Sequence, residues 1–291
     1  MLPEQQTMVE ASLDEAPTVV IQPSRGLAFV DLRALWQYRE LLYFLVWRDV
    51  KVRYKQTALG VLWVVLQPLA SMGVFTLLFG VLLNAPSGEE PYPVFALAGL
   101  LPWSYFATAL TRASNSVVNS AHLVSKIYFP RLVIPLSAAL AGLVDLAVGM
   151  LVFVVLMVVY HIAPTVALLL LPVLLLLAMA TALGFGLWLS ALNVRYRDVG
   201  YLAPFVVQLW MYLTPVVYAS TLIPERWRFL LSLNPMTAVV EGFRRALLGP
   251  GVSDVSLSPG LVAISVAVAL AVLVSGLVFF RTTERSFADV V

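Results

Sequence analysis

Long apolar stretches with few or no charges alternate with short polar segments along most of this chain. Six of them stand out, at residues 59–83, 91–111, 132–160, 162–194, 199–223 and 255–280. Each has the roughly 20 residues that a helix needs to cross about 30 Å of hydrocarbon. None alternates as the strands of a membrane barrel do. The pattern therefore predicts an all-α integral membrane protein with six transmembrane helices, because a helix satisfies its own backbone hydrogen bonds in lipid.

The amino-acid composition agrees with this prediction and excludes several kinds of functional site. Hydrophobic residues make up 61% of the 291 residues and charged residues only 12%, whereas soluble domains are about 25% charged. The chain has no cysteine, which excludes disulfides, cysteine metal sites and thiol nucleophiles. Residues 1–30 are acidic and lack the features of a signal peptide. We expect them to form a disordered cytoplasmic leader.

The placement of basic residues predicts the orientation. If the N-terminus is cytoplasmic and there are six spans, all but four of the 18 Lys and Arg residues fall in inner segments. This agrees with the positive-inside rule and predicts that both termini, including a tail at 286–291, are cytoplasmic. The exceptions all lie between the fifth and sixth spans: Arg226, Arg228, Arg244 and Arg245.

The segment that carries these exceptions predicts a short helix over residues 235–248. Asn234 suits the N-cap and Pro235 the first helical position, while Gly249 provides a stop signal. Such a helix rises only about 21 Å, which is too little to cross the membrane.

We expect residues 226–248 to form two short re-entrant helices that dip into the outer leaflet and return. One face of the second helix is apolar, and Glu241 is placed to pair with Arg245 four residues later on another face. The alternative is an amphipathic loop that lies flat on the outer surface.

The sequence offers no site for catalysis or for binding a nucleotide. None of the lysines (Lys51, Lys55 and Lys126) follows a glycine, so the GxxxxGK[ST] phosphate loop is absent. There is no HExxH helix, and His122 and His161 have no companion at metal-ligand spacing. We expect no enzyme activity and no metal site in this chain, and any ATP that drives it binds to another polypeptide.

Asp145 is the one ionisable residue deep within a predicted span. A charge at the bilayer centre costs roughly 3 kcal/mol and persists only with a role or a partner. We favour a carboxylate that is hydrogen-bonded to a neighbouring helix. A proton-transfer site is the alternative.

Two inner segments predict contact with a protein partner. Residues 31–55 have apolar residues at spacings of three and four, which predicts an amphipathic helix along the inner membrane face. Anchoring to anionic lipid explains its basic residues, but the interspersed acidic residues favour a protein partner. Residues 119–131 carry Tyr128 and Phe129, and exposed apolar side chains of this kind need a covering surface.

Three runs carry a family resemblance: VRYKQTALGVLWVVLQP (52–68), NSAHLVSKIYFPR (119–131) and SLNPMTAVVEGFR (232–244). Together they resemble the permeases of ABC type-2 exporters of lipid-linked polysaccharides such as O-antigen, capsule or wall teichoic acid. The resemblance implies a homodimer in the bacterial inner membrane, with residues 56–285 as the transmembrane domain. It also implies two copies of a separate ATPase subunit that holds ATP and Mg²⁺, contact with membrane lipid, and no nucleic-acid partner.

The resemblance implies roles for particular residues. The residues expected to couple this chain to the ATPase subunit are Arg39, Glu40, His122, Lys126, Ile127, Tyr128, Phe129 and Arg131. A polyprenyl-pyrophosphate-linked glycan is expected to be admitted at Arg48, Arg53, Lys55, Leu59 and Gly60. The outer helices would line its exit through Asn234, Pro235, Glu241, Arg244 and Arg245.

Aromatic residues are candidates for a surface on which the sugars slide. They are Trp63, Phe75, Trp103, Tyr105, Trp210, Tyr212 and Tyr218. Ordinary helix packing or an interfacial belt is the alternative for each of them. Two other functions also stay open: a permease for small hydrophobic drugs or lipids, and a non-transporting membrane scaffold for glycan synthesis.

Overall fold

A computed structural model describes residues 32–55, 61–88, 90–126, 128–249, 258–284 and 287, and these residues are mostly helical with no strand among them. The predicted acidic leader lies outside the described residues, as do Leu59, Gly60 and Ile127.

The α-helices of the described residues are numbered here in chain order. They are α1 (Leu32–Gln37), α2 (Arg39–Lys55), α3 (Val61–Phe75), α4 (Tyr92–Asn119), α5 (Ala121–Lys126), α6 (Val133–Val159), α7 (Leu171–Arg195), α8 (Val199–Leu213), α9 (Glu225–Ser232), α10 (Pro235–Leu248) and α11 (Pro259–Thr283). Helix α3 continues with π-helical geometry over Thr76–Leu82. Shorter 3₁₀ segments occupy Val166–Leu170 and Ser220–Leu222.

Five helical stretches within the described ranges are long and apolar enough to cross a membrane. They are Leu62–Leu82, Tyr92–Asn119, Val133–Val159, Val166–Arg195 and Pro259–Thr283. They correspond to the first four predicted spans and the sixth.

The predicted fifth span, residues 199–223, is not one continuous helix. Helix α8 has 15 residues and a rise of about 22 Å, which is shorter than the hydrocarbon core. It ends at Thr214, whose ψ of 137° is extended. The following Pro215 explains this end, because proline disfavours the helical conformation of the residue before it.

Helix α4 lies at the centre of the bundle. It packs against α3, α6, α7, α8 and α10. In its most apolar window 78% of the residues are buried, whereas none is buried in the corresponding window of Leu62–Leu82. The prediction ended this span at residue 111, but α4 continues to Asn119 and therefore includes Arg112.

The helix predicted over residues 31–55 is present as two helices, α1 and α2, which meet at Tyr38. The predicted amphipathic pattern is weak in α2, because apolar and charged residues are not separated onto two faces of this helix. Helix α2 packs against α6, and Leu45 is its buried residue among those described. Several of its aromatic side chains point away from the bundle, and Tyr43 is 72% exposed. The segment thus has a large apolar surface that this chain does not cover.

The two short helices predicted before the last span are present as α9 and α10. The Asn234 side chain accepts a hydrogen bond of 3.1 Å from the Met236 N–H, which confirms the predicted N-cap. Gly249 follows α10 with a φ of 94°, in the region that favours glycine. Helix α10 packs against α4, α7 and α11, and Arg245 is its exposed residue. It is therefore an interior helix, unlike the flat surface loop of the alternative.

The predicted ion pair between Glu241 and Arg245 is wrong. Glu241 instead pairs with Arg244 at 3.2 Å, and their side chains are only 1% and 0% exposed. Positions three and four residues away are both neighbours on a helix. Tertiary packing decides between them here, because it turns Arg244 into the bundle and leaves Arg245 outside.

Candidate functional site

A cavity of about 500 Å³ lies between the central helix α4 and its neighbours α3 and α6. Besides apolar side chains, its wall contains hydroxyl, amide and charged groups. These polar residues are Arg53, Gln67, Ser71, Ser104, Thr108, Arg112 and Asp145. The volume is in the range of small-molecule sites in proteins, about 300–1,000 Å³. The cavity is therefore mainly apolar, with a group of polar and charged side chains in its wall.

Three charged residues from three helices meet at this cavity. Asp145 accepts hydrogen bonds from the Arg53 guanidinium and, at 2.6 Å, from the Tyr54 hydroxyl. The Arg112 Nη1 atom lies 3.6 Å from Asp145 Oδ2. This agrees with the prediction that the carboxylate is hydrogen-bonded to a neighbouring helix. The partner helix is α2, the predicted interface helix, rather than another span.

Arg112 has no role in the predictions, yet it completes this cluster. Its Nη1 atom is buried and has no hydrogen-bond partner among the described residues. The Tyr105 hydroxyl, on the same cavity wall, is likewise buried without such a partner. Complementary charge is the signal in the sequence that could have predicted this contact. Asp145 lies within one predicted span, and Arg112 lies just past the predicted end of another.

The residues predicted to admit the cargo lie in different surroundings. Arg53 lines the cavity, and desolvation by burial lowers its pKa because burial disfavours the charged form. Arg48 pairs with Asp49 at 2.8 Å, and Lys55 is exposed. Among the described members of this set, the structure therefore brings only Arg53 to the cavity.

The seven predicted channel aromatics divide between two cavities. Trp63, Phe75, Trp103 and Tyr105 line the first cavity. Trp210, Tyr212 and Tyr218 line a second one of about 500 Å³, which Trp227 and Asn234 also line. The predicted aromatics thus surround two chambers in place of one continuous path.

Aromatic rings that pack on each other lie between the two chambers. Trp103 of the first wall and Trp210 of the second meet edge to face, with ring centroids 6.5 Å apart. Trp210 also contacts Phe106 at 5.0 Å and Phe185 at 4.9 Å. Edge-to-face pairs are favourable contacts, so Trp103 and Trp210 both pack in the core and border a cavity.

The predicted coupling segment contains both outward and inward side chains. His122, Lys126 and Tyr128 are exposed, Tyr128 by 72%. Phe129 is only 6% exposed, so its side chain packs within this chain, contrary to the expectation that it is exposed. On α2, Arg39 and Glu40 are exposed.

Arg131 connects the same segment to the end of the chain. Its guanidinium donates a hydrogen bond to the Glu284 carbonyl oxygen and lies 5.9 Å from the centroid of the Phe287 ring. Phe287 is buried and packs edge to face on Phe280 at 5.3 Å. Arg131 therefore holds the end of α11 instead of facing outward, and at least one residue of the predicted cytoplasmic tail is packed.

Glu241 and Arg244, both predicted to line an exit, are interior residues. Arg244 donates hydrogen bonds to the carbonyl oxygens of Pro215 and Val216, and its guanidinium lies 3.8 Å from the centroid of the Phe95 ring. A Cβ atom at Gly99 would collide with this arrangement. These contacts hold the segment after α8 in place and do not face a channel.

No group of three or more His, Asp or Glu residues that would suit a metal ion occurs among the residues that the structure describes.

Comparison with known proteins gives one consistent family. Residues 40–248 match the family described as ABC-2 type transporter. The chain is 32% identical to the O-antigen export system permease protein RfbA of Myxococcus xanthus, over 89% of this chain and 98% of that protein. It is 28% identical to the protein of the same description from Klebsiella pneumoniae, over 86% and 95%. It is 24% identical to the polysialic acid transport protein KpsM of Escherichia coli, over 82% and 92%.

Proposed function

This chain belongs to the ABC-2 type transporter family, and on that premise we propose that it is the permease subunit of an ATP-driven exporter of lipid-linked polysaccharide of the O-antigen kind. The observation that carries the proposal is the similarity, over 89% of the chain, to a permease named for O-antigen export. The polar and aromatic cavities support it, because a glycan needs hydroxyl partners and ring faces.

The energy source in this proposal is a separate ATPase that binds ATP and Mg²⁺, present in two copies. Exposed side chains of the coupling segment, Lys126 and Tyr128, provide a contact surface for it. Closure of the ATPase pair on ATP pushes against this segment and against α2. Because α2 packs on α6, the push reaches the helices that surround the first cavity.

A second copy of the chain completes the pathway. The window of Leu62–Leu82 has no buried residue, so a large apolar surface around α3 is open to lipid or to a partner subunit. A two-fold dimer places the same surface of both copies around one axis. In this arrangement the protein is a multi-pass protein of the bacterial inner membrane with six spans per chain, both termini are cytoplasmic, and α9 and α10 are re-entrant near the exit.

The cargo of this proposal is a polyprenyl-pyrophosphate-linked glycan. Its headgroup meets the basic residues near the end of α2, and its sugars then contact the aromatic walls of the two cavities. Weak, non-directional contacts with rings suit a long polymer that has to move, because no single contact holds it.

An export assay tests this function. Cells that lack the chain should accumulate lipid-linked glycan inside, and the intact chain should restore surface glycan. The proposal fails if surface glycan is unchanged without the chain. Purified complex whose ATPase activity rises with hydrophobic drugs but not with glycan lipids would favour the drug or lipid permease. Co-purification with glycosyltransferases and no ATPase would favour the scaffold.

A further inference from the structure

We propose that Arg53 and Arg112 form a binding site for the phosphate group of a lipid, and that Asp145 occupies this site as an internal competitor until the lipid arrives. The inference rests on the proposed function, in which the phosphate belongs to the cargo lipid. It assigns a specific pair of guanidinium groups on two helices, and a specific carboxylate that the phosphate displaces.

The balance of charge is the first observation behind this site. Asp145 is the one carboxylate among the polar residues of the cavity wall, and two guanidinium groups face it. The cluster therefore carries a net charge of about +1, which favours a further anion. Charge-assisted hydrogen bonds between arginine and phosphate are short and strong, and they are often bidentate.

Unused hydrogen-bonding capacity is the second observation. Arg53 and Tyr54 already supply hydrogen bonds to Asp145. Arg112 approaches it only to 3.6 Å, too far for a hydrogen bond, and the Arg112 Nη1 atom is buried without another partner among the described residues. A buried donor in this state has lost its hydrogen bonds to water without replacing them, and a ligand oxygen would supply the missing acceptor.

The surroundings of the cluster suit a phosphate group with a sugar attached. Ser71, Ser104 and Thr108 add hydroxyl groups to the cavity wall, and Gln67 adds an amide. The buried Tyr105 hydroxyl is a further donor on this wall that lacks a partner in the described part of the chain. Hydroxyl and amide groups bind both phosphate oxygens and sugar hydroxyls.

The position of the cluster in the fold leaves room for an apolar tail. The cavity is bordered by α3, the helix of the first span, whose most apolar window contains no buried residue. A lipid whose phosphate lies between Arg53 and Arg112 therefore has to pass only one peripheral helix to leave its hydrocarbon tail in the membrane.

A stabilising role alone does not account for this arrangement. These side chains are partly buried, and an ion pair gains little net stability whether solvent screens it or desolvation offsets its attraction. Asp145 is already satisfied by α2, so a second arginine is not needed to keep it. A carboxylate that faces two phosphate-binding arginines in the absence of ligand, and offsets one of their two charges, explains all three residues.

Lipid binding to the full-length chain in detergent micelles tests the site, with native mass spectrometry as the readout. The probes are undecaprenyl pyrophosphate, dioleoyl phosphatidylglycerol and undecaprenol, which lacks a phosphate. Arg112→Gln should weaken the binding of undecaprenyl pyrophosphate about tenfold, and Asp145→Asn should strengthen it about threefold. Arg197→Gln, an exposed arginine that does not line the cavity, is the matched control and should bind like the intact chain.

Melting temperatures separate binding from folding. Arg112→Lys keeps the charge and should retain more binding than Arg112→Gln at a similar melting temperature. The double variant R53Q/D145N removes one charge of each sign and should fold even if a single variant does not. If R112Q binds undecaprenyl pyrophosphate as the intact chain does, or if D145N weakens binding without a lower melting temperature, the inference is overturned.

The three probes also separate this inference from the proposed function. Arg112-dependent binding of undecaprenyl pyrophosphate alone supports both. Equal, Arg112-dependent binding of phosphatidylglycerol supports the phosphate site but makes a membrane phospholipid its ligand, which removes this support for a polyprenyl-linked cargo. If no probe binds in an Arg112-dependent way while the chain still restores glycan export, the site is wrong and the function stands.

Discussion

The guanidinium of Arg244 on α10 donates a hydrogen bond of 2.7 Å to the carbonyl oxygen of Pro215, just beyond the end of α8. Proline ends that helix, so the carbonyl groups of Pro215 and Val216 lie outside its hydrogen-bond ladder. In an apolar setting such groups need partners from elsewhere in the protein. The arginine supplies them, so α10 and the segment after α8 form one structural unit.

Arg244→Met should destabilise the protein strongly. The change leaves Glu241 as a buried charge without its partner, which costs roughly 3–5 kcal/mol, and it also removes the hydrogen bonds to Pro215 and Val216. The melting temperature of the purified chain measures the effect. Arg245→Met is the matched control, because Arg245 is the exposed neighbour on the same helix. Equal melting temperatures for the two variants would contradict the structural role of Arg244.

Gly276→Val should separate the last span from its neighbour. Helices α7 and α11 pack closely, and a Cβ atom at Gly276 would collide with the carbonyl oxygen of Gly184. Small residues at such crossings let two helix backbones approach each other. The melting temperature should fall, whereas Gly260→Val on the same helix should have little effect, since nothing lies within 4 Å of a Cβ placed there. A similar fall in melting temperature in both variants would contradict the packing explanation.

Tyr128→Ala and Phe129→Ala should affect different properties of the protein, ATPase recruitment and stability respectively, although the residues are adjacent. Phe129 is buried, so its truncation should cost about 3 kcal/mol of stability. Tyr128 is 72% exposed, so its truncation should leave the melting temperature unchanged and reduce co-purification of the ATPase subunit. Retention of full ATPase recruitment by Tyr128→Ala would remove this residue from the proposed coupling surface.

Cysteine labelling can test the predicted orientation directly, because the chain has no cysteine of its own. A membrane-impermeant maleimide added to intact spheroplasts should label Leu222→Cys and not His122→Cys. Both positions are exposed, so access from the two sides of the membrane is the difference that the experiment measures. Permeabilised cells serve as the control, in which both variants should react. Labelling of His122→Cys in intact spheroplasts would reverse the proposed topology.

Much of the fold follows from local properties of the sequence. Five of the six predicted spans coincide with long apolar helices, because hydrophobicity over 20 residues depends on composition and not on neighbours. The helix at 235–248 was predicted with its N-cap and its end, since capping depends on a few adjacent residues. A helical segment before the first span was likewise predicted, although the sequence indicated neither its division into two helices nor the weak separation of apolar and charged faces in α2.

The sequence by itself thus determined a helical membrane protein, the position of most helices, and the family to which it belongs. Only the tertiary structure decided that α4 is central, that Glu241 pairs with Arg244, that Phe129 and Arg131 turn inward, and that Arg53 and Arg112 meet at Asp145. The physical reason is the range of the interactions. Helix formation and insertion depend on residues close in the chain, whereas Arg53 and Asp145 are 92 positions apart, and only the packed bundle brings them together.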